Sequence, residues 1–515
     1  MQILQIGQTD WSKTYKLSEE LQWHFLDPSA EGVFDANAVH DFDAAIITGH
    51  CELDVLDALA PLIFPYSLLI DQSLKGQFDN SYNDFFKKKM VTFEDLTEPQ
   101  TTIDLLPKKF FSHRYSIGAK LPIRKILTSP AHLHKEKVWF EGSTYISTDI
   151  DYADTWTQLF FWKLSIEYDN QYATELWIEY KHDDGISLEL DIQFVKSESP
   201  ETVLFQKRYN EEDLKFPIVF SHAENGYLVC SVFVKGKGCV QVGHIHYRRS
   251  RLGGGIFLPG GKRVVDKDRQ ALFYYFNPGN LKPPFNIYFS GYRPAEGFGG
   301  YEVMKRFGNP FMLVTDPRQE GGSFYTGSDE LEDKLCDVIS DYQKFLGFEE
   351  EDLIFSGVSM GSFPALYYGC KFKAQAIIVG KPMIDIERVA KRARLERPYQ
   401  FLTVLDIVRF WNRTTDDGKV MPIDDFYQSL LAQWAQDDGF GDTKLLIAHM
   451  EEDDFDDRAY YTLLKTQSGK KTKIIAKGFE GRHNDQSAKI NDWFVSQFQR
   501  TIREYEEGKN EQATT

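Results

Sequence analysis

The sequence predicts an α/β plus all-β protein, with a C-terminal α/β domain built around a nucleophile elbow. An antiparallel β-sandwich and a small N-terminal α/β domain precede it. Three observations carry this. The apolar run Leu353, Ile354 and Phe355 enters Gly357-Val-Ser359-Met-Gly361 and continues into the small, apolar segment Ala365-Leu-Tyr-Tyr368. That is the strand, tight turn and helix of the elbow that presents a nucleophilic serine. Between Phe110 and about Tyr247 the apolar period becomes two, as in half-buried strands. In roughly the first 105 residues, short apolar runs alternate with segments of helical spacing.

Size and charge limit the possible functions. A chain of 515 residues is too long for one core, and 42% hydrophobic with 15% aromatic residues can fill several. The net charge of −18 argues against a nucleic-acid binder or a protein held on anionic lipid by charge. No run of about 18 apolar residues occurs. Met1-Gln-Ile-Leu-Gln-Ile-Gly7 reads as a first buried strand, without the basic and long apolar segments of a signal peptide. A cytoplasmic chain, peripheral to a membrane at most, is expected. Cys51, Cys230, Cys239, Cys336 and Cys370 are scattered without metal-ligand spacing, which suggests free thiols; Cys230 and Cys239 could alternatively pair across a hairpin.

Taken in order, residues 1–109 form the N-terminal α/β domain. Residues 2–7 read as a strand, 16–26 as an amphipathic helix, 43–49 as a buried strand, 53–62 as a helix and 66–70 as a strand. Gly7 and Gly49 end strands where a ligand could approach. No Gly-x-Gly-x-x-Gly follows either, so a scaffold or docking role is the better reading.

Residues 110–252 form the sandwich, jelly-roll-like, with strands at 156–168, 175–180, 187–195, 202–209, 218–220, 227–234 and 239–247. Separators include His182-Asp-Asp-Gly185, Ser197-Glu-Ser-Pro200 and Lys235-Gly-Lys-Gly238. Trp156, Trp162 and Trp177 could form a platform for sugar rings, but filling the core is the commoner use of such residues. His244 and His246 share a strand face, with His222 possible nearby; without a matched carboxylate or cysteine set, no metal site is expected.

Gly253-Gly-Gly255 and Gly260-Gly261 mark a linker into the last domain, 253–506. Its strands are expected at 271–276, 285–289, 311–315, 353–355, 375–379, 444–448 and 473–476, with helices at 329–345 and 492 to about 504. This is the element order of an α/β-hydrolase-like sheet, with an insertion at about 385–435 where such folds carry a cap. A polar tail, 507–515, closes the chain.

In such folds the serine, the acid and the histidine follow in that order, each in a loop after a strand. Ser359 is the candidate nucleophile. His483 is the only histidine after the strand at 473–476 and is the candidate base. Six of the seven residues from 451 to 457 are acidic; Asp453 is favoured by its distance past the strand end, then Glu452 and Glu451. The oxyanion would take backbone N–H groups from Met360 and from the loop Ser290-Gly291-Tyr292-Arg293, with Tyr292 preferred and Gly291 the alternative. Gly297-Phe-Gly-Gly300 could instead be a flexible lid. No bound cofactor and no metal are expected, although acyl transfer requires an acetyl donor.

These residues carry a resemblance. The opening Met1-Gln-Ile-Leu-Gln-Ile-Gly-Gln-Thr-Asp-Trp-Ser12, the loop Phe289-Ser-Gly-Tyr-Arg-Pro294, Gly357-Val-Ser-Met-Gly361 and Arg482-His483-Asn-Asp485 resemble the second accessory secretory proteins of the accessory Sec systems of Gram-positive cocci. The similarity runs along nearly the whole chain. It implies a cytosolic protein working with two other accessory secretory proteins. Together these would deliver glycosylated serine-rich-repeat adhesins to an accessory motor ATPase and membrane channel. It further implies O-acetylation of N-acetylglucosamine on the adhesin through Ser359 and His483, with the family acid in the 451–453 run, a glutamate in relatives. A scaffold or chaperone without catalysis, and a plain acetyl esterase, are the alternatives.

Overall fold

The computed structural model describes residues 1–28, 41–111, 116–129, 137–319, 321–396, 404–411, 413–414 and 420–513. The chain divides into two compact units, 1–262 and 263–515.

The first unit opens with five parallel strands, β1 (Gln2–Ile6), β2 (Gln22–Leu26), β3 (Ala44–Ile47), β4 (Leu68–Asp71) and β5 (Thr92–Glu94), in the order β2-β1-β3-β4-β5. Both faces are covered. Leu56 and Leu59 of helix Leu53–Leu59 lie on one side, and Ile103, Leu106 and Phe110 of helix Pro99–Phe110 on the other. The helix expected at 16–26 is instead a loop leading into β2. A single short helix is marginal by itself, whereas Gln22 to Leu26 gain a complete ladder against Gln2 to Ile6. Strand order reverses between β1 and β3, where open α/β sheets tend to take ligands. Here the loops meet each other: a Cβ at Gly7 would fall 2.2 Å from Thr48 Oγ1, and one at Gly49 would fall 3.3 Å from the Gly7 Cα. The two glycines allow that contact of backbone with backbone.

The sandwich follows, with strands β6 (Gly118–Leu121), β7 (Ile126–Thr128), β8 (Val138–Glu141), β9 (Tyr145–Trp162), β10 (Ile166–Tyr168), β11 (Ala173–His182), β12 (Ser187–Lys196), β13 (Ser199–Tyr209), β14 (Ile218–Phe220) and β15 (Gly226–Ser250). The first half of β15 pairs with β12 and the last part of β9, and its second half pairs with β11 and the first part of β9. Two layers therefore share two strands and enclose one core, in which Leu228, Cys230, Val232 and Val234 meet Val240, Val242 and Ile178. Lys235-Gly-Lys-Gly238, expected to separate two strands, is the corner inside one. Gly236 (φ +104°) and Gly238 (φ +141°) turn β15, and Ala153 (φ +46°) turns β9 opposite.

Trp162 and Trp177 are buried, and Trp156 is half-buried under Lys235. His244 and His246 do share a face, and both meet Glu179 of β11 (Nδ1–Oε2 3.7 Å, Nε2–Oε1 2.9 Å); His222 lies apart, against Phe194 and Phe220. That carboxylate was invisible in the sequence because its strand is a pairing partner and not a neighbour in the chain. All five cysteines are free thiols. The glycine run 253–261 is no loose linker: a Cβ at Gly255 would fall 2.3 Å from Leu258 O, and one at Gly260 within 2.3 Å of the Tyr66 ring.

The second unit holds β16 (Lys262–Val265), β17 (Ala271–Asn277), β18 (Phe285–Phe289), β19 (Phe311–Thr315), β20 (Leu353–Val358), β21 (Ala376–Gly380), the short hairpin β22 (Arg413–Thr414) and β23 (Val420–Met421), then β24 (Lys444–Met450) and β25 (Ile474–Phe479). Its eight-stranded sheet runs β16-β17-β19-β18-β20-β21-β24-β25, with β17 antiparallel to β19 and all neighbours from β19 to β25 parallel. This crossing of the third and fourth strands, after an antiparallel second, is the α/β-hydrolase order. β16 escaped the sequence reading because Lys262-Arg-Val-Val265 is too short and half polar for a clear period. Helices Ile386–Glu396, Val404–Phe410 and Ile423–Trp434 form the insertion after β21. The final helix, Ser487–Ala513, starts before the expected Asp492 and continues into the stretch expected as a polar tail.

Candidate active site

Three loops at the carboxyl ends of β20, β24 and β25 bring their side chains together. Ser359 follows β20 with φ +59°, a left-handed strain for a non-glycine residue that lifts its hydroxyl out of the turn. The flanking glycines are a steric requirement. A Cβ at Gly357 would lie 2.1 Å from Gly361 O, and one at Gly361 would lie 2.2 Å from Phe289 O, both immovable backbone. Ser359 Oγ is 2.8 Å from His483 Nε2, and His483 Nδ1 is 2.8 Å from Asp453 Oδ2. His483 and Asp453 are each 3% exposed. Burial pushes the Asp453 carboxyl up, but its bond to His483, the imidazole charge and N–H donors from Phe455 (2.8 Å) and Asp456 (3.1 Å) outweigh this and hold it below the usual range.

The crowded acidic run is resolved by position. Glu451 and Glu452 are exposed, and their backbone N–H groups tie this loop to the histidine loop through Phe479 O (2.9 Å) and Gly481 O (3.2 Å). Asp454 accepts from His483 N (3.0 Å) and Arg482 Nη2 (2.7 Å), and the Phe455 ring rests 4.5 Å from the imidazole. Asp457 pairs with Arg388 and Arg392 of the insertion. Of Asp453, Glu452 and Glu451, the structure places only Asp453 against the base.

Asp456 is 3% exposed, accepts from the N–H groups of Ile384 (2.8 Å) and Asp385 (2.9 Å), and has no partner for Oδ1 among the described residues. Burial pushes its carboxyl up to about 6. With the folded value above the usual 3.8, the stability from its bound proton is complete below about pH 4 and lost as pH rises through about 6. Asn at this position keeps the acceptor and carries no charge. Asp456→Asn is expected to match the parent near pH 4 and exceed it by about 2 kcal/mol near pH 8, read by thermal unfolding across pH.

The oxyanion candidates also lie close. A Cβ at Gly291 would sit 3.0 Å from Val358 O and 3.9 Å from Ser359 Cβ, so the Gly291-Tyr292 loop abuts the nucleophile, and Met360 directly follows Ser359. Tyr292 is 41% exposed. Gly297–Gly300, considered as a lid, is packed instead: Gly297 and Phe298 are buried, and Gly299 N donates to Ser290 Oγ (3.1 Å).

Two neighbours escaped the sequence reading, both in the loop after β21. Met383 places its sulfur 3.6 Å from Ser359 Oγ, and its N–H donates to Ser362 Oγ (2.9 Å). Lys381 (φ +52°, 4% exposed) donates to Ser487 Oγ at 2.7 Å; burial lowers its pKa against the pull of Asp453 and Asp485. The only local signal was the position of Gly380-Lys-Pro-Met383 after a buried strand.

Residues 1–507 match the family described as Accessory Sec system GspB-transporter. The chain is 32% identical over 515 residues to an accessory Sec system protein of Streptococcus gordonii, covering 99% of each chain. It is also 32% identical over 509 residues to one of Staphylococcus aureus, covering 96% of this chain and 95% of that one. A chain in the Glycosylation Associate Protein complex of Streptococcus agalactiae superposes with a TM-score of 0.85 at 30% identity, covering 98% of both.

Proposed function

The chain belongs to the accessory Sec system GspB-transporter family, and from that premise we propose that it is a carbohydrate O-acetyltransferase of accessory secretion. Its substrate would be N-acetylglucosamine on serine-rich-repeat adhesins during export. The observation that carries the reading is the hydrogen-bonded run Ser359–His483–Asp453 at the ends of three strands of a hydrolase-ordered sheet.

In this reaction Ser359 Oγ attacks the acetyl carbonyl of the donor while His483 Nε2 takes its proton. Asp453 holds the imidazole so that Nδ1 keeps its hydrogen and Nε2 faces the serine. N–H groups of Met360 and of Tyr292 or Gly291 receive the oxyanion. The proton passes to the departing donor group and leaves acetyl-Ser359. A sugar hydroxyl then attacks that ester and gives its proton to His483; the bond from the acetyl carbon to Ser359 Oγ breaks, and His483 passes the proton to Oγ, restoring the serine and releasing the O-acetylated sugar.

A serine-directed phosphonate should label the wild-type protein at Ser359 and fail to label His483→Ala. Adhesin glycans made with wild type should carry acetate that glycans made with His483→Ala lack. An unlabelled wild type, or equal acetate in both, would sink the reading. A generic acetyl ester hydrolysed without any sugar product would instead favour a plain esterase.

Two other accessory secretory proteins are the proposed partners, supported by a relative that superposes over 98% of the chain and sits in a complex. The glycosylated adhesin and the accessory motor ATPase complete the set, with the protein cytoplasmic or peripheral at the translocon. No helix among the described residues is long and apolar enough to cross a membrane. A scaffolding role is the second reading, favoured because the superposition covers 98% of the chain and so takes in residues 1–262, which hold no member of the site.

A further inference from the structure

The loop after β19, described at residues 316–319 and 321–326, turns through Gly321 (φ +97°), Gly322 (φ +114°), Phe324 (φ +56°) and Tyr325 (φ +63°). Left-handed backbone at two successive aromatic residues is costly and persists only where the surroundings enforce it. Asp316 is the enforcing group. Its fully buried carboxylate accepts from Arg318 N (3.0 Å), Nε (2.8 Å) and Nη2 (2.6 Å), and from the backbone N–H groups of Ser323 (2.8 Å) and Tyr325 (2.9 Å).

This loop packs against the residues proposed to receive the oxyanion. The Tyr325 hydroxyl, on a side chain with no exposure, donates to Ser290 O at 2.5 Å. Burial raises that phenol well above its ordinary value, so it remains a donor. Ser290 O belongs to the peptide whose N–H is that of Gly291. In a trans peptide the two point in opposite directions, so anchoring the carbonyl on the Tyr325 side aims the Gly291 N–H the other way. The same loop touches the other candidates. A Cβ at Gly321 would fall 2.0 Å from the Tyr292 ring, and one at Gly322 would fall 2.5 Å from Met360 Cε. The ring is also fixed in turn, edge-on to Phe289 and with its own carbonyl accepting from Tyr368 Oη (2.8 Å).

We propose that Tyr325 is a positioning residue whose hydroxyl sets the orientation of the Gly291 peptide, and that residues 316–319 and 321–326 buttress both sources of oxyanion donors. The proposal rests on the acyl-transfer reading above.

The test is Tyr325→Phe, which removes one oxygen and keeps the packed ring. Hydrolysis of p-nitrophenyl acetate is measured for wild type, Ser359→Ala and Tyr325→Phe, with thermal unfolding alongside. Because a whole oxyanion donor is worth about a hundredfold to a thousandfold, a misaimed one is expected to lower kcat about tenfold to a hundredfold. KM and the pH profile should stay unchanged and the protein folded. Gly322→Ala, which strains the same loop at φ +114°, is expected to lower kcat in the same way. An unchanged kcat in folded Tyr325→Phe, or a rise in KM alone, overturns the proposal while leaving the reading intact. A wild type no faster than Ser359→Ala overturns both.

Discussion

Ser359→Ala and His483→Ala are each expected to lower kcat for acetyl ester cleavage by about a millionfold, with the double variant no worse than either single. Non-additivity is the informative part. A serine without its base keeps its proton, and a base without its serine has nothing to deprotonate, so either loss removes the same transition state. Ser359→Ala should change stability little, whereas His483→Ala strips the buried Asp453 carboxylate of its partner and should lower the unfolding temperature as well. The measurement is steady-state hydrolysis of an acetyl ester by the two singles and the double. Losses that multiply in the double variant, or a His483→Ala enzyme near wild-type rate, would exclude one nucleophile working through one base.

Asp453→Asn is the second large effect, about ten-thousandfold in kcat. The amide can keep the geometry but donates where the carboxylate accepts, which leaves Nδ1 without its acceptor and favours the wrong imidazole tautomer. Glu451→Gln and Glu452→Gln, exposed and tied to the histidine loop through their backbone N–H groups, should stay near the parental rate. The comparison separates the three carboxylates by kinetics at constant charge change. A large loss at Glu452 and a small one at Asp453 would move the acid by one residue.

Much of the second unit was legible because its signals are local. The buried runs of β18 to β21 and β24 are short apolar blocks between glycines and polar turns; β25 shows the same apolar start on a half-exposed edge strand, and Gly357-x-Ser359-x-Gly361 is itself a steric statement. Failures came where a distant strand decides. Trp23 and Phe25 sit in β2 because β1 offers a ladder, which no periodicity within residues 16–26 can express. Gly236 and Gly238 mark a bend as well as they mark an end, and only pairing of both halves with β9 tells which. In the site, the serine and histidine announced themselves, whereas Asp453 was one of six carboxylates among seven residues. Tyr325 carried no motif, since its work depends on a carbonyl thirty-five positions away.

The strands that turn the sandwich corner have a further meaning for how residues 110–252 come apart. An ordinary pair of stacked sheets can in principle shed one sheet and leave the other paired. Here β9 and β15 are each backbone of both layers, so melting either layer breaks ladders in the other. Amide exchange should therefore show a single opening event across β11, β12 and the whole of β15, with protected hydrogens on both layers released together. The sandwich is therefore an all-or-nothing block, with no half-open form in which its apolar interior is offered to neighbours.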